Sequence, residues 1–361
     1  MLVSGNNVDI AWKNFINNSH IKNTNNCSIK KAPIKIPKCG DIYISTKTMI
    51  CYLNQSIDLT GIFWKIPILN YYTQTEGVVK KQIKINCTTV EEVGTLETII
   101  KEETRKNKIL DVHILKQIKS KKGLIKDNRK ISIGLSRKDL ITRKKKKKGA
   151  FYNCFVLILR ILCDNKFKEI HIKIFNTGKL EIPGIQNNKH LIQSLNFLVE
   201  ILQPFIDKKL SYDTKNIETV LINSNFNCGF YINRDKLYNI LKYNYRLQIM
   251  FDPCSYPGIQ CKFYFNNNNE KNEGICYCSK KCNRKGKGKG NGECREISFM
   301  IFRTGSILIV GHCEESTIEH IYNFLKKLLH KEFPNIFVKN NDGKKKIKHK
   351  KIKKKIILYR K

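Results

Sequence analysis

Residues 297–329 read ISFMIFRTGSILIVGHCEESTIEHIYNFLKKLL, and this stretch decides the fold. Its first part alternates with period two, as half-buried strands do. Phe299 and Ile301 share one face of the first run, with Met300 and Phe302 on the other. Thr304-Gly305 makes a turn, after which Ile307 and Ile309 share a face with Leu308 and Val310 opposite. Both faces are apolar, so one should meet a helix and the other needs an explanation. The helix follows at once: Ile318, Ile321, Leu325, Leu328 and Leu329 recur at spacings of three and four. Glu314, Glu315 and Ser316 suit its N-terminus.

The same unit occurs earlier. Residues 171–202 read HIKIFNTGKLEIPGIQNNKHLIQSLNFLVEIL. Phe175 takes the place of Phe302, Gly178 that of Gly305 and Gly184 that of Gly311, while Leu191, Leu195, Leu198 and Leu202 give the helical stripe. Two copies of a strand–turn–strand–helix unit imply a pseudo-twofold molecule rather than a solenoid.

The 361 residues can bury a sizeable core. Lys and Arg number 68 against 30 Asp and Glu, a formal charge of +38 that points to a polyanionic partner, most simply nucleic acid. Fourteen cysteines form no obvious disulfide framework. Together with the lack of a secretory signal at the N-terminus, this predicts a reducing, intracellular setting: nucleus, cytoplasmic viral factory or virion. No apolar run is long enough to span a bilayer, so no membrane partner is expected.

Residues 1–40 are polar and Asn-rich and are expected to be loosely held, with a short helix near 10–16. Residues 41–204 form the first copy. Thr46 to Leu53 reads as a strand, Ile57 to Trp64 as a short helix, and residues 151–162 as a strongly apolar strand. Residues 71–149 are lysine-rich and read as a partly ordered insertion, with strand-like pieces at 78–85 and 130–135, a helix-like piece at 91–106 and a basic run at 143–148. Residues 205–338 form the second copy, with a strand at 219–226, a short helix at 233–242, a strand at 259–265 and a Cys-, Gly- and Lys-rich loop at 266–295. Each copy is expected to run strand, short helix, three strands, long helix. Residues 339–361 are a polybasic tail, expected to be solvated or to hold phosphates.

These patterns resemble the TATA-box-binding protein family, and in particular its divergent, insertion-bearing members from large DNA viruses. The hairpin motifs carry the resemblance: Ile174-Phe175-Asn176-Thr177-Gly178-Lys179 and Ile301-Phe302-Arg303-Thr304-Gly305-Ser306. So do Tyr256-Pro257-Gly258, Leu159-Arg160-Ile161 and Ile57-Asp58-Leu59. It implies an α+β fold: a pseudo-twofold saddle whose curved antiparallel sheet carries long helices on its convex side. The leftover apolar face would then lie against the DNA minor groove, with aromatic wedges between base steps. The wedges would be Phe175, Phe302 and Tyr256, with the fourth position falling on Cys154 unless Phe151 or Phe155 substitutes.

The resemblance further implies that Thr46 and Thr219 stand where the family has asparagines at the centre of its site, with Leu221, Leu308 and Val310 on the same face. Arg160, Lys173, Lys179, Lys262 and Arg303 would lie near phosphates. Glu181 on the DNA side and Pro183 in place of a threonine make a TATA preference doubtful. The implied role is a monomeric transcription initiation factor that binds and bends duplex DNA and recruits a TFIIB-like factor and a multisubunit RNA polymerase. The alternative is a basic packaging or scaffold protein that kept the fold without reading sequence.

Cys276, Cys278, Cys282 and Cys294 follow C-x-C-x3-C-x11-C in the loop. A structural zinc on four thiolates is the one candidate cofactor, with reduced loop cysteines as the alternative. There is no Walker loop, G-x-S-x-G or H-E-x-x-H, and no enzyme is expected. A nucleic-acid enzyme built on this fold would need a following catalytic domain, which residues 333–361 are too short to supply.

Overall fold

A computed structural model of the chain describes residues 35–106, 110–119, 125–141, 153–269 and 271–339. The chain divides into compact units at residues 1–36 and 37–361, and the second is described below. The expected N-terminal helix, the basic run at 143–148, Phe151 and the tail at 344–361 fall outside the described residues.

The first copy starts with β1 (Tyr43–Tyr52), α1 (Leu59–Lys65) and β2 (Gly77–Cys87). An added segment holds α2 (Val90–Arg105), β3 (Leu110–Lys119), β4 (Ile125–Gly134) and α3 (Arg137–Ile141). The copy resumes with β5 (Cys154–Cys163), β6 (Lys166–Phe175), β7 (Lys179–Ile185) and α4 (Asn188–Leu202). The second copy has β8 (Glu218–Asn227), β9 (Tyr231–Ile232), α5 (Arg234–Asn239), β10 (Gln248–Met250) and β11 (Ile259–Phe265). It ends with β12 (Arg295–Ile301), β13 (Ser306–Gly311), α6 (Glu315–Ile336) and β14 (Phe337–Val338).

The fold is α+β. One twelve-stranded sheet has the order β10-β11-β12-β13-β8-β1-β7-β6-β5-β2-β4-β3, with antiparallel neighbours throughout. Outward from the β1–β8 junction, β7, β6, β5 and β2 on one side match β13, β12, β11 and β10 on the other. Each copy therefore has four strands between its helices, not three. The fourth escaped because β10 is only 3 residues long, and because β2, although strand-like at 78–85, lies in a lysine-rich stretch that reads as an insertion. The extra chain is accordingly the part after β2, not the whole of 71–149, and it lengthens the sheet by β4 and β3.

The two copies share their turn chemistry. Gly178 N donates to Phe175 O and Gly305 N to Phe302 O, both at 3.0 Å. Gly178 and Gly305 have φ of +80° and +77°, and a Cβ on either would strike a backbone oxygen, Gln55 O at 2.4 Å or Phe230 O at 2.2 Å. Only glycine fits both demands. Leu53 N donates to Gly178 O and Cys228 N to Gly305 O, at 2.8 and 2.9 Å, so each hairpin turn is tied to the end of its copy's first strand.

The alternation puts one face of the sheet into the core. The stripe of α4, Leu191, Leu195, Leu198 and Leu202, lies in one cluster with Ile172, Ile174, Leu180 and Ile182. In the second copy Ile297, Phe299, Ile301, Ile307 and Ile309 are fully buried, as are Ile321, Leu325 and Leu329 of α6. Lys47 of β1 reaches Glu315 at the start of α6, an ion pair that joins the two copies. Asp58 caps α1 by accepting from Gly61 N. The other end of α1 is closed by the fully buried Lys81, whose Nζ donates to the carbonyls of Phe63, Trp64 and Ile66 at 2.6, 3.2 and 2.7 Å.

Candidate nucleic-acid interface

The face opposite the core is the candidate site. Partners directly across a ladder share a face, so the registers assign it residue by residue. On β6 it carries Phe175, Lys173 and His171, and on β7 it carries Lys179, Glu181 and Pro183. At the centre Thr46 faces Asn223, and Thr48 faces Leu221. On β13 it carries Val310, opposite Asn223 and Ser298, and Leu308, opposite Asn225 and Met300. Phe175 and Phe302 are half-buried, whereas Ile174 and Ile301 beside them are fully buried in the core. The two Phe side chains therefore belong to the open face.

The aromatic ends differ between the copies. Tyr256 and Phe302 pack edge to face with ring centroids 5.9 Å apart. Gly258 lies under both: a Cβ there would meet each ring at 3.0 Å. Phe175 has instead Lys179 Nζ 5.8 Å from its ring centroid, and Cys154 stands across the ladder from it. Cys154 is buried, and burial pushes its thiol up. Phe155 cannot replace the missing wedge, because it is fully buried against Phe63 on the core side.

Register supplies a better match than motif spacing did. Phe155 pairs with Ile174 and Cys154 with Phe175, while Ile259 pairs with Ile301. Cys154 is thus the counterpart of Gly258, and two residues earlier the counterpart of Tyr256 is Tyr152, which lies outside the described residues. The signal was in the sequence, Tyr152-Asn153-Cys154 beside Tyr256-Pro257-Gly258, but it needed the ladder to be read.

The basic residues behave differently from expectation. Arg160 is buried and committed to the chain itself: its Nη1 and Nη2 donate to Thr73 O and Tyr71 O at 2.5 and 2.9 Å, and its guanidinium lies 4.6 Å from the Tyr71 ring centroid. It is a strut and not a free phosphate ligand. Lys173 pairs with Glu181 at 2.5 Å, and Lys262 with Glu296 at 2.6 Å, so each copy neutralises one lysine on this face. Burial holds the His171 imidazole below its ordinary range. Lys179 and Arg303 sit at the hairpin turns, with Arg303 exposed.

Thr219 is a correction. The β1–β8 ladder shifts between Thr48/Leu221 and Met49/Thr219, leaving Val220 as an extra residue. That bulge turns Thr219 to the core face, where its hydroxyl sits 3.2 Å from the buried Met49 Sδ. Thr46 and Leu221 stay on the open face. The residue that sequence reasoning missed is Asn223: its Oδ1 is buried beside Thr46 and Val310 with no hydrogen-bond partner among the described residues. Asn223, Asn225 and Asn227 alternate with Ile222, Ser224 and Phe226, a period-two signal obscured by the abundance of asparagine elsewhere.

The four loop cysteines come together, with all their sulfurs within 4.8 Å of one another. No described cysteine is in a disulfide. No described helix is long and apolar enough to cross a membrane.

No family model matches the chain. The chain is similar to a protein of Acanthamoeba polyphaga mimivirus named TATA-box-binding protein-like, 25% identical over 218 residues that cover 55% of this chain and 53% of that one. It thus spans about half the length of the curated relative it matches. Among solved structures it is similar to Methanococcus jannaschii TBP, at 11% identity and a TM-score of 0.35, covering 81% of this chain and 99% of that one. The chain thus resembles a divergent, TATA-box-binding-protein-like protein of a large DNA virus.

Proposed function

We propose that the open face binds duplex DNA in the minor groove and bends it, and that the protein acts in transcription initiation. The observation that carries this reading is the placement of Phe175 and Phe302. They stand at matching ends of two matching hairpins, on the face opposite the long helices α4 and α6, with Tyr256 beside one of them. Between them runs a nearly uncharged strip of Thr46, Leu221, Asn223, Leu308 and Val310. An apolar strip ending in aromatic side chains suits a groove floor and unstacked base steps, where a row of lysines would not. The Asn223 side-chain carbonyl, buried and without a partner among the described residues, would have to turn outward to accept from the one donor the minor groove presents, the guanine amino group. Phosphates would meet Lys179 and Arg303 at the rim.

A curved, saddle-like sheet would let both Phe ends engage one duplex, and the helix-covered side would remain free for a TFIIB-like factor and RNA polymerase. The mimivirus relative supports the TBP-like part of this reading through its name alone. Selection from random duplex DNA, followed by a measurement of end-to-end distance in the bound duplex, tests it. Enrichment of a site together with shortened ends is expected. Binding without enrichment or bending would favour a packaging protein, for which the charge of +38 is the supporting observation.

A further inference from the structure

We infer that Cys276, Cys278, Cys282 and Cys294 bind one zinc ion, which folds the basic loop between β11 and β12. The inference is independent of the DNA reading. Its first support is geometric. Tetrahedral zinc at about 2.3 Å from each thiolate sets sulfurs roughly 3.8 Å apart. Here Cys278 and Cys294 sulfurs are 3.3 Å apart, Cys276 and Cys294 sulfurs 3.6 Å, and all four lie within 4.8 Å. Four separate chain positions converge on a volume that fits one ion.

The second support is that the loop has little else to hold it. Residues 266–294 contain no helix and no strand among those described, apart from a single bridge at Lys285. They carry Lys280, Lys281, Arg284, Lys285, Lys287 and Lys289, which repel one another. Asn272 and Arg284 take positive φ, a region that residues other than glycine seldom occupy. Four thiolates around a divalent cation bear a net negative charge, which the surrounding lysines offset. A shell of protein donors is present too: Asn266 Nδ2 lies 3.6 Å from Cys294 Sγ and also donates to Gly290 O at 2.7 Å. Second-sphere donors of this kind orient thiolate ligands.

The loop straddles the end of its hairpin. On the core side Gly274 lies against Phe263, and the Asn272 carbonyl meets His320 Nε2 of α6 at 3.0 Å. On the other side Arg284 covers Tyr264, its guanidinium 4.6 Å from the ring centroid. A zinc-ordered loop would therefore brace the first half of α6 against β11, away from Phe302 and Tyr256 at the opposite end of the strands.

The test uses the full chain purified under reducing conditions without chelator. Metal analysis should give about one zinc per chain, and exchange with cobalt should give the visible absorption of tetrahedral cobalt thiolate. Cys282→Ser should lose the metal, while Cys254→Ser, an exposed cysteine outside the cluster, should retain it. Because a ligand variant can fail for other reasons, chelation of the unaltered protein is the second arm. Hydrogen exchange should then speed up in the loop and around His320 and stay unchanged in β6 and β7. Metal near zero after refolding with zinc, iron in place of zinc, a disulfide among the four, or a Cys282→Ser protein that keeps its zinc would each overturn the inference.

Discussion

Lys173 and Glu181 stand directly across the β6–β7 ladder and pair at 2.5 Å on the open face. A carboxylate on a face proposed to meet DNA looks misplaced until its partner is seen: it offsets the charge of a lysine on the same face. Glu181→Gln should remove the charge that offsets Lys173. One added phosphate contact steepens the dependence of log affinity on log salt by about 0.9. Stability should fall by about 1 kcal/mol, the upper end of the range for exposed pairs, because both side chains are half-buried. Titration of a random duplex at several salt concentrations measures the slope. An unchanged slope would mean that Lys173 does not face phosphate.

Arg160 should behave in the opposite way. Its guanidinium is buried, with bonds to Tyr71 O and Thr73 O and the Tyr71 ring beneath it. Arg160→Ala should cost about 2–3 kcal/mol of stability, because two carbonyls lose a charged donor. The salt slope of DNA binding should stay where it was. A melting curve and a salt titration on the same protein separate the two roles, and a shallower slope with unchanged melting would restore Arg160 as a phosphate ligand.

Much of this architecture was legible because its period is strong. The hairpins ending in Phe175 and Phe302, and the leucine and isoleucine stripes of α4 and α6, were readable from spacing alone. What escaped did so for physical reasons. A strand as short as β10 has no period to detect. The bulge at Val220 adds one residue, and one residue reverses every face before it, which is how Thr219 changed sides. The resemblance sets Arg160 and Lys262 near phosphates, but a cation's role depends on neighbours distant in sequence, Tyr71 in one case and Glu296 in the other. Motif spacing set Cys154 against Tyr256, whereas the ladder sets it against Gly258.

The added segment after β2 should unfold at acid pH before the rest. Arg129 donates to both Asp127 oxygens at 2.8 Å and to Glu97 at 2.9 Å, with Asp127 and Arg129 buried. The Arg129 hydrogen bonds hold the Asp127 carboxyl below the usual carboxylate range. A carboxyl depressed in the folded state contributes stability above its unfolded pKa and loses it as pH falls through the folded one. The contribution is therefore complete at neutral pH and declines from about pH 4 downward. Asp127→Asn should lower stability at neutral pH and flatten its acid dependence. Hydrogen exchange in β4 as a function of pH reads both, and an Asn variant as acid-sensitive as the parent would exclude Asp127 as the source.

The aromatic ends give the most discriminating test. Phe175 and Phe302 lie on the open face, whereas Ile174 and Ile301 fill the core. Replacing both Phe residues by Ala should leave the protein folded. Truncating a core Phe would remove about 3–5 kcal/mol, and a half-buried side chain with its outer edge in solvent should lose well under that. Unstacking a base step costs a few kcal/mol, which the bend recovers by bringing more backbone onto the protein. The double variant should thus keep salt-dependent binding through its lysines and lose the bend. Tyr256 supports Phe302 at 5.9 Å, and Tyr152, which precedes Cys154 by two residues as Tyr256 precedes Gly258, is its counterpart in the sequence of the first copy. Tyr152→Ala and Tyr256→Ala should therefore reduce the bend to a similar degree, each at its own end of the site. Fluorescence transfer between the ends of the bound duplex measures this, alongside a melting curve. A large fall in thermal stability, or duplex ends as close together as with the parent protein, would remove Phe175 and Phe302 from the DNA. A Tyr152→Ala protein that bends normally while Tyr256→Ala does not would leave the first copy with a single wedge.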